Sequence, residues 1–129
     1  MGDRSNVFIQ MEKRPEKWDG ETRLPTEWDG IGLYAHWGGT EMQETALIAA
    51  RESVARLGDS SYFARRVVHK ILNTYDQNAG ETGHGLWTDS PPDNEHPVLV
   101  INAETGQYWY TAEGSIHLDP PAGVQRLEE

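Results

Sequence analysis

Residues 40–75 carry their apolar side chains at helical spacing, and every short β-type run lies before or after that window. Two amphipathic helices bracketed by strands confine the chain to the α+β class, because helix stripes and strand faces must cover one another. The first helix is expected after Gly38-Gly39, where Thr40-Glu41-Met42-Gln43 has the spacing of a capping box. Leu47, Ala50, Val54 and Leu57 then recur on one side, and Gly58 stands where a C-cap glycine belongs. Asp59 and Ser60 are suited to cap a second helix, whose apolar stripe is wide. Phe63, Val67 and Ile71 make one row, and Ala64, Val68, Leu72 and Tyr75 the next. The opposite face carries Arg65, Arg66, His69 and Lys70.

The strand signals are short: 6–10 and 32–37 before the helices, then 83–88, 97–102 and 107–111 after them. Glu104-Thr105-Gly106 supplies the turn of a hairpin between the last two. The expectation is an antiparallel sheet in ββ-αα-βββ order with both helices packed on one face. A single α+β domain is expected over residues 1–117, followed by a flexible C-terminal tail at 118–129, where two prolines meet few apolar residues. Two copies of Trp-Asp-Gly, at 18–20 and 28–30, fall in what is expected to be an elaborated hairpin loop, with Asp-Gly as turn chemistry.

Composition enters where it excludes. With 129 residues the chain builds one core, and with no cysteine it excludes disulfide frameworks, Cys-ligated zinc, iron–sulfur clusters and thiol catalysis. The longest apolar run, 97–101, is far shorter than the roughly 20 residues of a membrane span, and the N-terminus lacks a signal peptide's apolar core. A cytoplasmic protein without a membrane partner is expected. The net charge is −10, which argues against binding long nucleic acid, where phosphates must meet clustered Lys and Arg. Nearly all of that excess sits in the second half. Residues 71–129 carry Arg126 as their one cation among Lys and Arg, whereas residues 1–70 are nearly balanced. An acidic surface on that half suits a basic partner, a divalent cation or the basic face of a second copy, so a homo-oligomer is expected.

His36-Trp37-Gly38-Gly39 is the most unusual local feature. A strand ends on two rings with nitrogens, and two glycines lead straight into a helix start, whose N–H groups suit an anion. A ligand pocket is expected to combine His36, Trp37, Gly38 and Gly39 with Tyr62, Arg65, Trp18 and Trp28. Five Trp and five Tyr against two Phe favour rings with a polar edge, as at pockets and interfaces. Arg51, Arg56, Arg65, Arg66 and Lys70 form a basic helical stripe that can cradle a small phosphorylated ligand. His84, flanked by Gly83 and Gly85, is a candidate acid–base residue beside His36. Asp93, Glu95 and His96 offer a metal ligand set, although their spacing is not that of helical zinc motifs. No serine nucleophile motif is present.

As a set, these signatures resemble a family of small uncharacterised proteins of bacteria and their phages, marked by Tyr-x-His-Trp-Gly-Gly. The matching segments are Gly2-Asp3-Arg4, Tyr34 to Gly39, Asp59-x-x-Tyr62-x-Ala64-Arg65, Glu81-Thr82-Gly83-His84-Gly85 and Asp93-Asn94-Glu95-His96-Pro97. They run to about Trp109. Departures are Asp3 in place of Asn and a longer first loop. The resemblance implies a phage or prophage origin and brings no mechanism with it.

The expectation is therefore a non-catalytic phage or prophage accessory binding protein, without a cofactor. It would act in the host cytoplasm, engaging a host protein or sequestering a small anionic, nucleotide-like ligand. The alternative is a small metal-assisted hydrolase or nuclease using His36, His84 and the Asp93/Glu95 loop.

Overall fold

The computed structural model describes residues 4–13, 17–18, 21–22, 28–36, 38–75, 84–88, 96–111 and 123–128. Their elements are β1 (Ser5–Lys13), β2 (Lys17–Trp18), β3 (Glu21–Thr22), β4 (Trp28–Ala35), α1 (Gly39–Arg51) and α2 (Ser60–Tyr75). After them come β5 (His84–Trp87), β6 (Leu99–Asn102), β7 (Gln107–Tyr110) and β8 (Gln125–Arg126). The protein is α+β, and both helices contribute to the same core on one face of a six-stranded sheet of order β5-β4-β1-β6-β7-β8. Among the described residues no helix is long and apolar enough to cross a membrane.

The sheet is mixed, which corrects the expectation of a purely antiparallel one. β1 pairs antiparallel with β4, Val7 opposite Leu33, but parallel with β6, Val7 opposite Leu99. The physical reason lies in the run Val98-Leu99-Val100-Ile101, whose residues are all 0% exposed. A strand apolar on both faces belongs in the interior of a sheet, and β6 takes such a place between β1 and β7. The expected hairpin does form: β6 and β7 pair antiparallel, Leu99 opposite Tyr110. Its turn is held by Asn102, whose Oδ1 accepts the N–H groups of Glu104 and Thr105, and by Gly106 at φ 79°.

Strand alternation sorts the side chains onto two cores. Val7, Ile9, Leu33, Ala35, Leu99 and Ile101 face the helices, meeting Met42, Ala46, Phe63, Val67 and Ile71. Phe8, Trp87, Val100 and Trp109 face the other way, with Tyr34 and Val124 packed beside them and no helical residue among them.

Three local expectations change. The capping box does not form: Gly38 is the N-cap and no side chain caps the helix. Gln43 is buried and turns elsewhere, donating from Nε2 to the carbonyls of Asn6 (3.2 Å) and Pro97 (2.7 Å). α1 also ends before Gly58. It stops at Arg51, where the buried Ser53 hydroxyl donates to the Ala49 carbonyl at 2.8 Å, and a 3₁₀ turn follows at Val54–Arg56. Gly58 is needed at φ 88°, with its N–H donating to Ala103 O. Finally, the second Trp-Asp-Gly is no loop: Trp28, Asp29 and Gly30 open β4, and a Cβ on Gly30 would collide with the Phe8 ring.

The C-terminus, expected to be a flexible tail from 118, is tied down at 123–128. β8 pairs with β7, the Leu127 N–H donates to Gly106 O at 2.8 Å, and the Leu127 side chain joins the main core.

Candidate functional site

The second helix organises the site by its periodicity. Residues four apart stack on one side, so α2 presents three adjacent rows. Ala64 and Val68 lean toward the sheet, Ser61, Arg65 and His69 form a central ridge, and Tyr62, Arg66 and Lys70 lie beyond it. The ridge divides two concavities, and its Arg65 and His69 line both.

On the far side, α2 and the C-terminal end of α1 enclose a polar cavity of about 290 Å³. Arg65, Arg66, His69 and Lys70 converge there, with Tyr62 from α2 and Ser53 and Glu52 from the end of α1. Ser53 accepts a hydrogen bond from Arg66 Nε at 3.1 Å, which fixes the base of that guanidinium. Lys70 reaches Glu52 at 3.7 Å, but both side chains are about half exposed, so the pair is weak and easily exchanged for a ligand. The Arg56 guanidinium lies 4.4 Å from the centroid of the exposed Tyr62 ring and holds it at the rim. Among the described residues three cations face one carboxylate here, which makes this a place for an anion.

On the near side, a cavity of about 350 Å³ opens between α2 and the sheet. Met11, Ile31, Ala64, Val68 and the exposed Leu86 make its walls. A third cavity, of about 380 Å³, continues past Met11 and Ser61 to Asp59 and Glu104, and is acidic.

The residues expected to share one pocket are divided by the structure. Tyr62 and Arg65 stand at the C-terminal end of α1, whereas Gly38 and Gly39 open that helix, about 15 Å away at 1.5 Å per residue. The two glycines serve the fold instead, Gly38 by close packing and Gly39 by its φ of 54°. Both are buried, and a Cβ on Gly38 would press on Ala35 Cβ (2.7 Å) and Ser5 Oγ (3.0 Å). An anion approaching the exposed side of that helix start would meet the Glu41 carboxylate in the first turn. His36 bonds through Nδ1 to the Tyr34 hydroxyl at 2.9 Å. Trp18 lies in β2, Trp28 begins β4, and the placement of their side chains, like all of Trp37, falls outside the described residues.

For the hydrolase alternative, the sheet brings His36 and His84 to one corner, since His84 pairs with Ala35. They take opposite faces: His84 shares the helix-side face of Ala35, whereas His36 joins Tyr34 on the other. Asp93 and Glu95 lie outside the described residues, and His96 is half-buried. Among the described residues, no three His, Asp or Glu side chains are grouped to hold a metal ion.

Sequence reasoning missed Met11, Ile31 and Leu86 as cavity walls. The available signal was the second apolar row of α2. Phe63, Val67 and Ile71 suffice to fill the core at 0% exposure, leaving Ala64 and Val68 to border the cleft. No protein-family model matches the chain, and neither the curated proteins nor the solved structures contain a match to it.

Proposed function

We propose that this is a non-catalytic binding protein that sequesters a small anionic, nucleotide-like ligand in the cavity between α2 and the end of α1. The observation that carries the reading is the convergence of Arg65, Arg66, His69 and Lys70 on one concavity, opposed among the described residues by the carboxylate of Glu52. Arg donors arranged as forks suit phosphate or carboxylate oxygens. A phage or prophage accessory role follows from the resemblance of the motif set. In that setting the ligand is a host-derived small molecule, and the acidic second half is the surface for a protein partner or a second copy.

Titration calorimetry with inorganic phosphate and with a nucleoside monophosphate tests the reading. Saturable binding of either, weakened by salt and by Arg66→Glu, is expected. Absence of binding by both at millimolar concentration overturns it.

A further inference from the structure

We infer that the ligand is amphipathic: a small anion whose hydrocarbon or aryl body lies in the apolar cleft between α2 and the sheet, with its charged end on Arg65 and His69. This inference rests on the functional reading above for the position of the charged end, and adds the body and its orientation. The cleft is about 350 Å³, within the range of roughly 300–1,000 Å³ that small-molecule sites occupy. Its walls come from three strands and a helix: Met11 of β1, Ile31 of β4, Leu86 of β5, and Ala64 and Val68 of α2. No other exposed large hydrophobic in the described structure is more open than Leu86, at 62%. A chain or ring laid in the cleft would cover it.

Charge fixes which way the body points. Through Arg65 and His69 the cleft adjoins the basic cavity; through Met11 and Ser61 it adjoins the acidic one at Asp59 and Glu104. An anion threaded toward the acidic end is repelled, so its head must lie at the α2 ridge, one helical turn separating Arg65 from His69. The same rim argues against a second copy as occupant. A two-fold contact across this cleft would set one Arg65 and His69 pair against another.

Decanoate is a suitable probe, because it combines one carboxylate with an aliphatic body, and inorganic phosphate serves as the comparison that has the charge without the body. Calorimetry should show decanoate binding that the uncharged variant Leu86→Asn weakens at least tenfold while phosphate binding stays unchanged. Leu86 is exposed and outside the basic cavity, so this variant keeps the fold, which far-ultraviolet dichroism verifies. Arg65→Glu should weaken both ligands. Phosphate binding without decanoate binding overturns the amphipathic ligand and leaves the anion site standing. Decanoate binding indifferent to Leu86→Asn also overturns it. Failure of both probes removes the amphipathic ligand, and failure of the nucleoside monophosphate as well removes the anion site; a dimer in light scattering that Leu86→Asn dissolves would assign the cleft to a second copy and overturn the inference.

Discussion

The indole of Trp87 on β5 lies over Gly32 of the neighbouring strand β4, so close that a Cβ on Gly32 would overlap the ring. The same indole stacks on Phe8 of β1, with centroids 5.2 Å apart, and donates from Nε1 to Asn6 Oδ1 at 2.9 Å. One ring thus spans three strands on the face without helices. Gly32→Ala is expected to destabilise the protein by about 1–3 kcal/mol through overpacking. A lower urea midpoint at unchanged slope, followed by tryptophan fluorescence, is the measurement.

Gln43 replaces the capping role expected of it with a bridge between α1 and the strands. Gln43→Ala would strip the Asn6 and Pro97 carbonyls of that donor, at a cost of about 1–3 kcal/mol. Thr40→Ala, which a working capping box would make costly, should change stability by less than about 0.5 kcal/mol. Thermal denaturation of the two variants side by side separates the roles.

Truncation after residue 122 should destabilise the fold. It removes Leu127, only 4% exposed, together with the pairing of β8 to β7. Leu127→Ala alone should cost about 2 kcal/mol, at the low end for a buried leucine because only the two-residue strand β8 ties this segment to the sheet. Equal melting temperatures for full-length and truncated chains would contradict the tie.

The Tyr110 phenol is held above its ordinary value of 10.0, first by burial and then by Tyr108 and Glu44, with Arg51 acting the other way. The unfolded chain therefore releases this proton first as pH rises. Stability is unaffected below pH 10 and falls between the unfolded and folded values. Ultraviolet titration of tyrosinate should show a late component that Tyr110→Phe abolishes.

Ser53 positions Arg66 in the basic cavity. Ser53→Ala is expected to lower phosphate affinity by about threefold, the effect of freeing one long side chain. Calorimetry at two salt concentrations checks it, and affinity should fall with ionic strength in both proteins.

The helices, the five longer strands and the common helical face were legible because each rests on local periodicity. Phe63, Val67 and Ile71 could be placed in the core from spacing alone. What escaped depended on partners distant in sequence. Nothing near Leu99 says that Val7 will pair with it in the same direction, and nothing near Leu127 says that Gly106 will receive its N–H. Gln43 matched a local motif, yet two carbonyls from distant segments offered better partners. The candidate site divides the same way. Arg65, Arg66, His69 and Lys70 were visible as one helical face, whereas the cleft below Arg65 needed Met11, Ile31 and Leu86, which meet only when β1, β4 and β5 align.

The parallel pairing of β1 with β6 also sets a timetable for synthesis. β1 is made first and lies inside the finished sheet, but the strand that covers its second edge ends at Asn102. Until the ribosome has delivered that segment, Val7, Phe8 and Ile9 present an apolar strand with an open hydrogen-bonding edge. Completion is thus postponed until residue 102 has been made. Long-range closures of this kind slow folding and expose nascent chains to aggregation. Slowed elongation after residue 35 should therefore lower the soluble yield of this protein more than slowed elongation after residue 110.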